Sequence, residues 1–297
     1  MIELSIIIIS YNTREMTMAC LHSVYEETRG ISFEVIVVDN DSKDGSAQSI
    51  KKKFPAVKLI VSDKNLGFGR ANNLATKIAK GNYLLLLNPD TIVLNGAIQK
   101  LYSFACRNPN NRIYGGRTLY SDLTLNPTSC WRRPTLWSLF CYSVGLTKIF
   151  KGNSIFDPES YGHWKRDSVR LVDIVTGCLL MIERKLWDQL NGFDNVFFMY
   201  GEEADLCIRS AKFGASPIIT PDATIIHHDG ASEKIYADKM IRILRAKKQF
   251  IKKHWNQVGM LIGFSLLLYS VLVRMVASHT NDLLSFILNK NFKSSKA

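Results

Sequence analysis

Four short, strongly apolar stretches limit what this chain can become: LSIIIIS (4–10), FEVIVVDN (33–40), VKLIVSD (57–63) and NYLLLLNPD (82–90). A strand with one wet face alternates apolar and polar residues. These do not alternate, so each is expected to be covered on both faces. The segments between them read as helices: roughly 15–27, the stretch opened by DSKDGS, and KNLGFGRANNLATKIAK with its glycine-bearing turn. Strands alternating with helices predict an α/β fold, a Rossmann-like and mostly parallel sheet with helices on both faces. Ligands in such sheets bind beyond the carboxyl ends of the strands. At those ends the sequence places Tyr11 and Asn12, Asp39 and Asn40, Asp63 to Asn65, and Asn88 with Asp90. One shared crevice follows.

Beyond the fourth strand the pattern is less even. Residues 92–105 read as another helical connection. Residues 112–170, with Pro127, Pro134, Pro158 and CWRRPTLW, read as loops and short elements around the crevice mouth. VDIVTGCLLMI (172–182) returns to strand character, and ERKLWDQLNGFD is a short helix closed by Gly192. GEEADLCIRSAKFG is a helix ended by Gly214. On it Ala204, Cys207, Ile208 and Ala211 recur at helical spacing and are expected to face the core. SPIITPDATIIHHDGAS supplies a last strand carrying His227 and His228.

The tail differs in kind. The formal net charge is +12, and from Ala231 onward twelve Lys or Arg face three acids. A basic tail on a nearly balanced body points to an anionic surface. KMIRILRAKKQFIKKHW (239–255) gathers Met240, Ile243, Leu244, Phe250, Ile251 and Trp255 near one face, with Lys and Arg opposite, as a helix at a lipid interface does. VGMLIGFSLLLYSVLV (258–273) then runs without a charge up to Arg274. It is borderline against the roughly 17–25 residues of a spanning helix. Two postures fit: a short span with Arg274 snorkelling, or a helix lying in the interface and dipping in with LLSFIL (283–288). A buried C-terminal helix is the alternative. Nucleic acid is disfavoured, because the charges flank an apolar segment and are not interleaved with aromatics.

The domain expectation is therefore a body over 1–232, with a donor-binding half over about 1–111 and an acceptor-side half over about 112–232, and a helical region over 233–297. The six cysteines are scattered and form no CxxC pair, as in a reducing compartment. MIELSIIIIS carries an acid where a signal peptide has a basic region, so it reads as the first strand of a cytosolic body. Together these place the chain on the cytoplasmic side of the inner or plasma membrane, peripheral or anchored by its C-terminal region.

Asp39 closes the second strand, where a carboxylate can accept from a ribose hydroxyl or a base N–H. Asp41 and Asp44 suit turn or cap positions. A dinucleotide is disfavoured: SYNTRE after the first strand lacks glycines, and GFG (67–69) is a lone GxG after the wrong strand. No GxxxxGK is present. A diphosphate beside Asp39 and Asp90 would be repelled unless a hard divalent ion, Mg²⁺ or Mn²⁺, bound carboxylate and phosphate together. His227 or His228 is a candidate further ligand and would favour Mn²⁺. Glu202 and Glu203 open a helix, where the dipole favours anions. Adjacent helical residues diverge by about 100°, so one carboxylate can enter the crevice while the other is solvated or paired. A carboxylate aimed at an acceptor hydroxyl can take its proton. Asp205 and Arg209, at i and i+4, read as a surface salt bridge.

SIIIISYNT, VIVVDNDSKDGS, NLGFGRANNLA, LLLLNPDT, the segment TGCLLMI through SAKFG, and IIHHDGAS, in this order, resemble the inverting GT-A family-2 glycosyltransferases, particularly the rhamnosyltransferase-like branch. The likeness covers most of 4–232 and is loose over 112–170. It implies a nucleotide-diphosphate sugar donor, with Tyr11 and Asp39 on the base and Asn65 and Arg70 along the donor. NPD stands where the family carries D-x-D, so Asp90 is the implied metal ligand and Asn88 replaces the first acid. The family's E-D pair falls on Glu202-Glu203, which makes Glu203 the implied base, with the assignment between the two open. His227 matches the metal-side histidine better than His228.

With the tail, the resemblance points to a lipid-linked saccharide acceptor in bacterial surface polysaccharide biosynthesis, O-antigen among them. It favours dTDP-rhamnose as donor and leaves galactofuranose and glucose open. Two other readings stand beside it: a non-catalytic, membrane-attached nucleotide-sugar-binding module, and a sugar nucleotidyltransferase. The latter should carry a glycine-rich basic loop after the first strand, which SYNTRE does not supply.

Overall fold

The computed structural model describes residues 2–228 and 236–294, with side chains described from 2 to 228 and from 238 to 275. It divides into two compact units, Met1–Arg133 with Trp164–Gln249, and Pro134–His163 with Phe250–Ala297. The expected boundary at 232–233 lies outside the described residues.

The first unit opens with β1 (Leu4–Ser10), α1 (Arg14–Glu27), β2 (Phe33–Asp39), α2 (Ser46–Lys53), β3 (Lys58–Val61), α3 (Phe68–Thr76) and β4 (Tyr83–Leu87). β5 (Thr91–Val93), α4 (Ala97–Arg107), β6 (Ile113–Leu119), β7 (Leu125–Asn126) and β8 (Cys130–Trp131) follow. The chain then passes through α5 (Leu136–Ser143) and α6 (Leu146–Ile149) of the second unit. It returns as β9 (Arg170–Leu171), β10 (Ile174–Val175), β11 (Leu179–Glu183), α7 (Arg184–Leu190), α8 (Glu202–Ser210) and β12 (Ile218–His227). The helices α9 (Tyr236–His254) and α10 (Gln257–Ser294) close the described chain.

The main sheet has strand order β3-β2-β1-β4-β11-β6-β12-β5. The first four strands are parallel, in the registers Ser10–Asp39 and Asp39–Val61 that align their polar ends. Every residue of β1 is buried, as are Val35 to Asp39 and Leu84 to Leu87. Burial on both faces is why these runs do not alternate. β11 runs antiparallel between β4 and β6, and β12 is parallel to β6. The sheet is thus mixed, with its parallel half formed by β3, β2, β1 and β4.

Four expectations change. Ile113–Leu119, inside the region read as loops, is a central strand; its Gly115-Gly116 pair reads locally as a breaker, and pairing with β11 and β12 overrides it. The apolar run at 172–182 is two strands, β10 and β11, parted by Thr176-Gly177-Cys178. On α8 the buried residues are Glu202, Asp205, Leu206, Cys207 and Ser210, while Ala211 is exposed, so the expected stripe is rotated. This rotation also overturns the surface reading of Asp205. Its side chain is fully buried and accepts from Arg209 Nε at 2.7 Å, while Arg209 Nη1 and Nη2 donate to the carbonyls of Leu190 and Gly192.

In the second unit α10 packs along α5, and Trp137 stacks on Phe140 with ring centroids 5.5 Å apart. Along α9 Ala246, Phe250 and Ile251 are buried while Arg245, Lys248, Lys252 and Lys253 are exposed, the amphipathic division expected from the sequence. Among the described residues one helical segment, Gln257–Met275, is long and apolar enough to cross a membrane.

Candidate active site

The parallel strands deliver their polar termini to one edge. Asp39 ends β2 with 1% of its surface exposed; Oδ1 accepts from the Ser42 amide at 3.0 Å, and buried Oδ2 has no protein donor. A buried carboxylate oxygen left open is costly unless a ligand satisfies it. Tyr11 stands exposed after β1, and Asn12 beside it pairs with the 42–43 turn. The Asn40 amide fastens the next loop: Nδ2 donates to Asn65 Oδ1 at 3.0 Å, and Oδ1 accepts from the Leu66 amide at 2.8 Å. Asn65 Oδ1 also accepts from the Gly67 amide, so that oxygen belongs to the turn. Arg70 is exposed and donates twice to the Asn195 carbonyl.

Gly67 holds this loop against the segment before α8. Its φ is +78°, and a Cβ there would stand 2.1 Å from the Phe198 carbonyl oxygen. That same oxygen accepts from the Phe68 amide at 2.9 Å. Only a residue without a side chain permits this approach.

At the end of β4, Asn88, Asp90 and His227 converge. His227 Nε2 lies 3.3 Å from Asn88 Nδ2 and 3.5 Å from Asp90 Oδ1, with all three side chains largely buried. Of the two histidines only His227 faces this set. His228 is exposed, with Nδ1 2.8 Å from Ser121 Oγ, and its amide donates to the Asp90 carbonyl. His227 Nδ1 is buried without a partner. Among the described residues no group of three His, Cys, Asp or Glu forms a closed metal cage. The set here has one carboxylate, one imidazole and one amide. Such donors suit a hard divalent ion that completes its shell with ligand oxygens.

The acids of α8 lie on different sides, as their spacing requires. Glu202 is buried, with 2% of its surface exposed and Oε2 unpartnered. Burial, then the neighbouring Glu203 charge, pushes its carboxyl well above the usual carboxylate range. Glu203 is part-exposed, and Oε1 accepts from the Gly177 amide at 3.1 Å. Burial raises its pKa too. One residue further along, the Cys178 carbonyl accepts from the Asn88 amide at 3.3 Å. The turn that interrupts the expected strand therefore joins Glu203 to the Asn88–Asp90–His227 set. Sequence reasoning placed Asn40 at a strand end without giving it a role, and did not single out Gly177. The signal for Gly177 was a glycine inside an apolar run, where its Cβ would meet the Phe68 ring at 2.7 Å.

A mixed sheet of this order, its acids gathered at the strand ends, has the GT-A arrangement of glycosyltransferases. The chain belongs to glycosyl transferase family 2: the family's model matches residues 5–169, more than half of its length. Glu202, Glu203 and His227 lie beyond the matched segment. An N-acetylglucosaminyl-diphospho-decaprenol L-rhamnosyltransferase of Mycobacterium tuberculosis is 28% identical over 67% of this chain and 67% of its own length. An O-antigen biosynthesis protein of Myxococcus xanthus is 26% identical over 78% of this chain, which there spans only 18% of the relative. Among solved structures, a mannosyltransferase from Pyrobaculum calidifontis in complex with GDP-Man and Mn²⁺ superposes with a TM-score of 0.58 and 17% identity. The superposition covers 95% of this chain and 80% of that one, a likeness of fold. The protein is a glycosyltransferase.

Proposed function

We propose that this enzyme moves a sugar, with inversion, from a nucleotide-diphosphate donor to a lipid-linked saccharide at the cytoplasmic face of the membrane. One observation carries the reading: within the Thr176–Cys178 turn the Gly177 amide donates to the Glu203 carboxylate, and the next carbonyl, that of Cys178, accepts from the Asn88 amide at the end of β4. A proton acceptor and a diphosphate-binding set thus share one rigid support.

Asp39 Oδ2 receives a base N–H of the donor, with the Tyr11 ring beside it. Asn65 and Arg70 line the donor's path. Asp90, His227 and the Asn88 side chain would hold a divalent cation, Mn²⁺ or Mg²⁺, whose charge would stabilise a departing nucleoside diphosphate. Glu203 takes the proton of the acceptor hydroxyl as that oxygen attacks the anomeric carbon from the face opposite the diphosphate. Glu202, enclosed and biased toward its neutral form, is the poorer base, which supports assigning the role to Glu203. The name of the Mycobacterium relative supports L-rhamnose, hence dTDP-rhamnose, as the donor to try first, and a diphospho-polyprenol-linked acceptor.

The test is a calorimetric screen of nucleotide sugars with and without Mn²⁺ or Mg²⁺, followed by nucleotide release on adding acceptor. Glu203→Gln is expected to slow turnover by about 10²–10⁴-fold while donor affinity is retained. Equal turnover in that variant places the base elsewhere. Donor binding with no nucleotide release would favour a non-catalytic binding module.

A further inference from the structure

Helix α10 carries its residues inside out. Over its described side chains, 257–275, the inward positions are Gly259, Gly263, Leu267 and Ser270, three of them small. Its outward positions include Val258, Leu261, Ile262, Leu268, Leu272 and Met275, and Val258, Leu261 and Leu268 are 66%, 65% and 63% exposed. A surface helix in water does the reverse. In lipid, small residues face neighbouring helices and large apolar ones face outward. Gly263 shows the first half of this rule: a Cβ there would stand 2.8 Å from the Trp255 ring.

The same inversion continues on α5, which packs along α10. Ser138, Leu139, Cys141 and Ser143 are buried, while Leu136, Trp137 and Phe140 are exposed on one face at i, i+1 and i+4. Arg274 lies over the Tyr142 ring, 4.4 Å from its centroid, which ties α10 to the same helix. In this unit the described side chains include Lys148, Lys151, Lys252, Lys253 and Arg274 against Asp157 and Glu159. The described charges of the unit that carries the apolar face are thus mostly positive. A second copy of the chain would bring like charges together, whereas an anionic headgroup layer complements them.

We infer that the 134–163 segment docks on lipid together with α10, with Leu136, Trp137 and Phe140 entering an anionic bilayer interface. α5 spans only about 12 Å at 1.5 Å per residue, so it reaches the headgroup–acyl boundary and does not cross. The inference deepens the membrane-side part of the proposed function, but it assigns contact to a segment the tail does not include.

The test uses the full chain with phosphatidylglycerol-containing vesicles. Flotation reports partitioning, and brominated lipids report indole depth through quenching. Trp137→Phe is expected to remove a distinct share of the quenching. Leu136→Ser combined with Phe140→Ser is expected to lower partitioning more than about tenfold with an unchanged melting curve. Three results overturn the inference: quenching unaltered in Trp137→Phe, partitioning unaltered in the double variant, or a full chain that ignores vesicles and dimerises through this face. Donor binding is measured in the same preparations. Its loss would refute the transferase reading and leave the vesicle result intact.

Discussion

Glu202 and Glu203 show how one residue step separates two chemistries. Both carboxyls are raised by burial, yet Glu203 Oε1 accepts from the Gly177 amide while Glu202 Oε2 is buried without a partner. A carboxyl whose folded pKa is raised binds its proton more tightly in the native state than in the unfolded chain. Its contribution to stability is therefore full below the ordinary carboxylate range and is lost as pH rises toward the folded value. Glu202→Gln removes that pH-dependent loss. Melting temperatures across a pH series should show the variant gaining on the parent as pH climbs above about 4.5. Parallel curves would mean that the buried oxygen is satisfied by something other than a proton. The raised Glu203 predicts an acid limb of the rate profile above the usual carboxylate range, missing from Glu203→Gln.

At the scale of the element, α8 turns a charged face inward and is held by the Asp205–Arg209 pair with its two carbonyl acceptors. Arg209→Ala leaves a fully buried carboxylate without its cation, and denaturant melts should show a loss of about 3–5 kcal/mol. A loss below about 1 kcal/mol would restore the surface-bridge reading. The helix illustrates where sequence reading stops. Periodicity identified α8 and its start, although the α-helix stops at Ser210, four residues before the expected Gly214; apolar spacing selected the Ala204–Ala211 stripe because it counts Asp205 as polar and cannot see Arg209 neutralising it. β1, β2 and β4 were legible because their burial is written in consecutive side chains. β6 was not, since two glycines conceal a strand whose partners lie far along the chain. Asp39, Asp90 and His227 were legible as strand-end residues. Gly177 was hidden because its role is a backbone amide, which every residue but proline carries.

For the whole molecule, the basic and apolar features of the C-terminal region act through different forces. Headgroup attraction is screened once the Debye length shrinks, whereas burial of apolar side chains is not. Raising salt from about 0.05 to about 0.5 M should weaken flotation on anionic vesicles without abolishing it. Complete release would reduce the association to charge alone. The composition of the tail suggests a lipid surface, while that of residues 134–163 does not. They read as loops and short elements around the crevice mouth, and the structure forms α5 there and turns Trp137 and Phe140 outward.

The Thr176–Cys178 turn has one more consequence. Two adjacent residues, Gly177 and Cys178, set the span between Glu203 and the Asn88 end of β4, so that span behaves as a fixed gauge. If Glu203 is the base, as proposed, substrates of different size would be sorted by fit to a ready-cut opening, and selectivity among acceptor hydroxyls would come from backbone geometry before any side chain is involved.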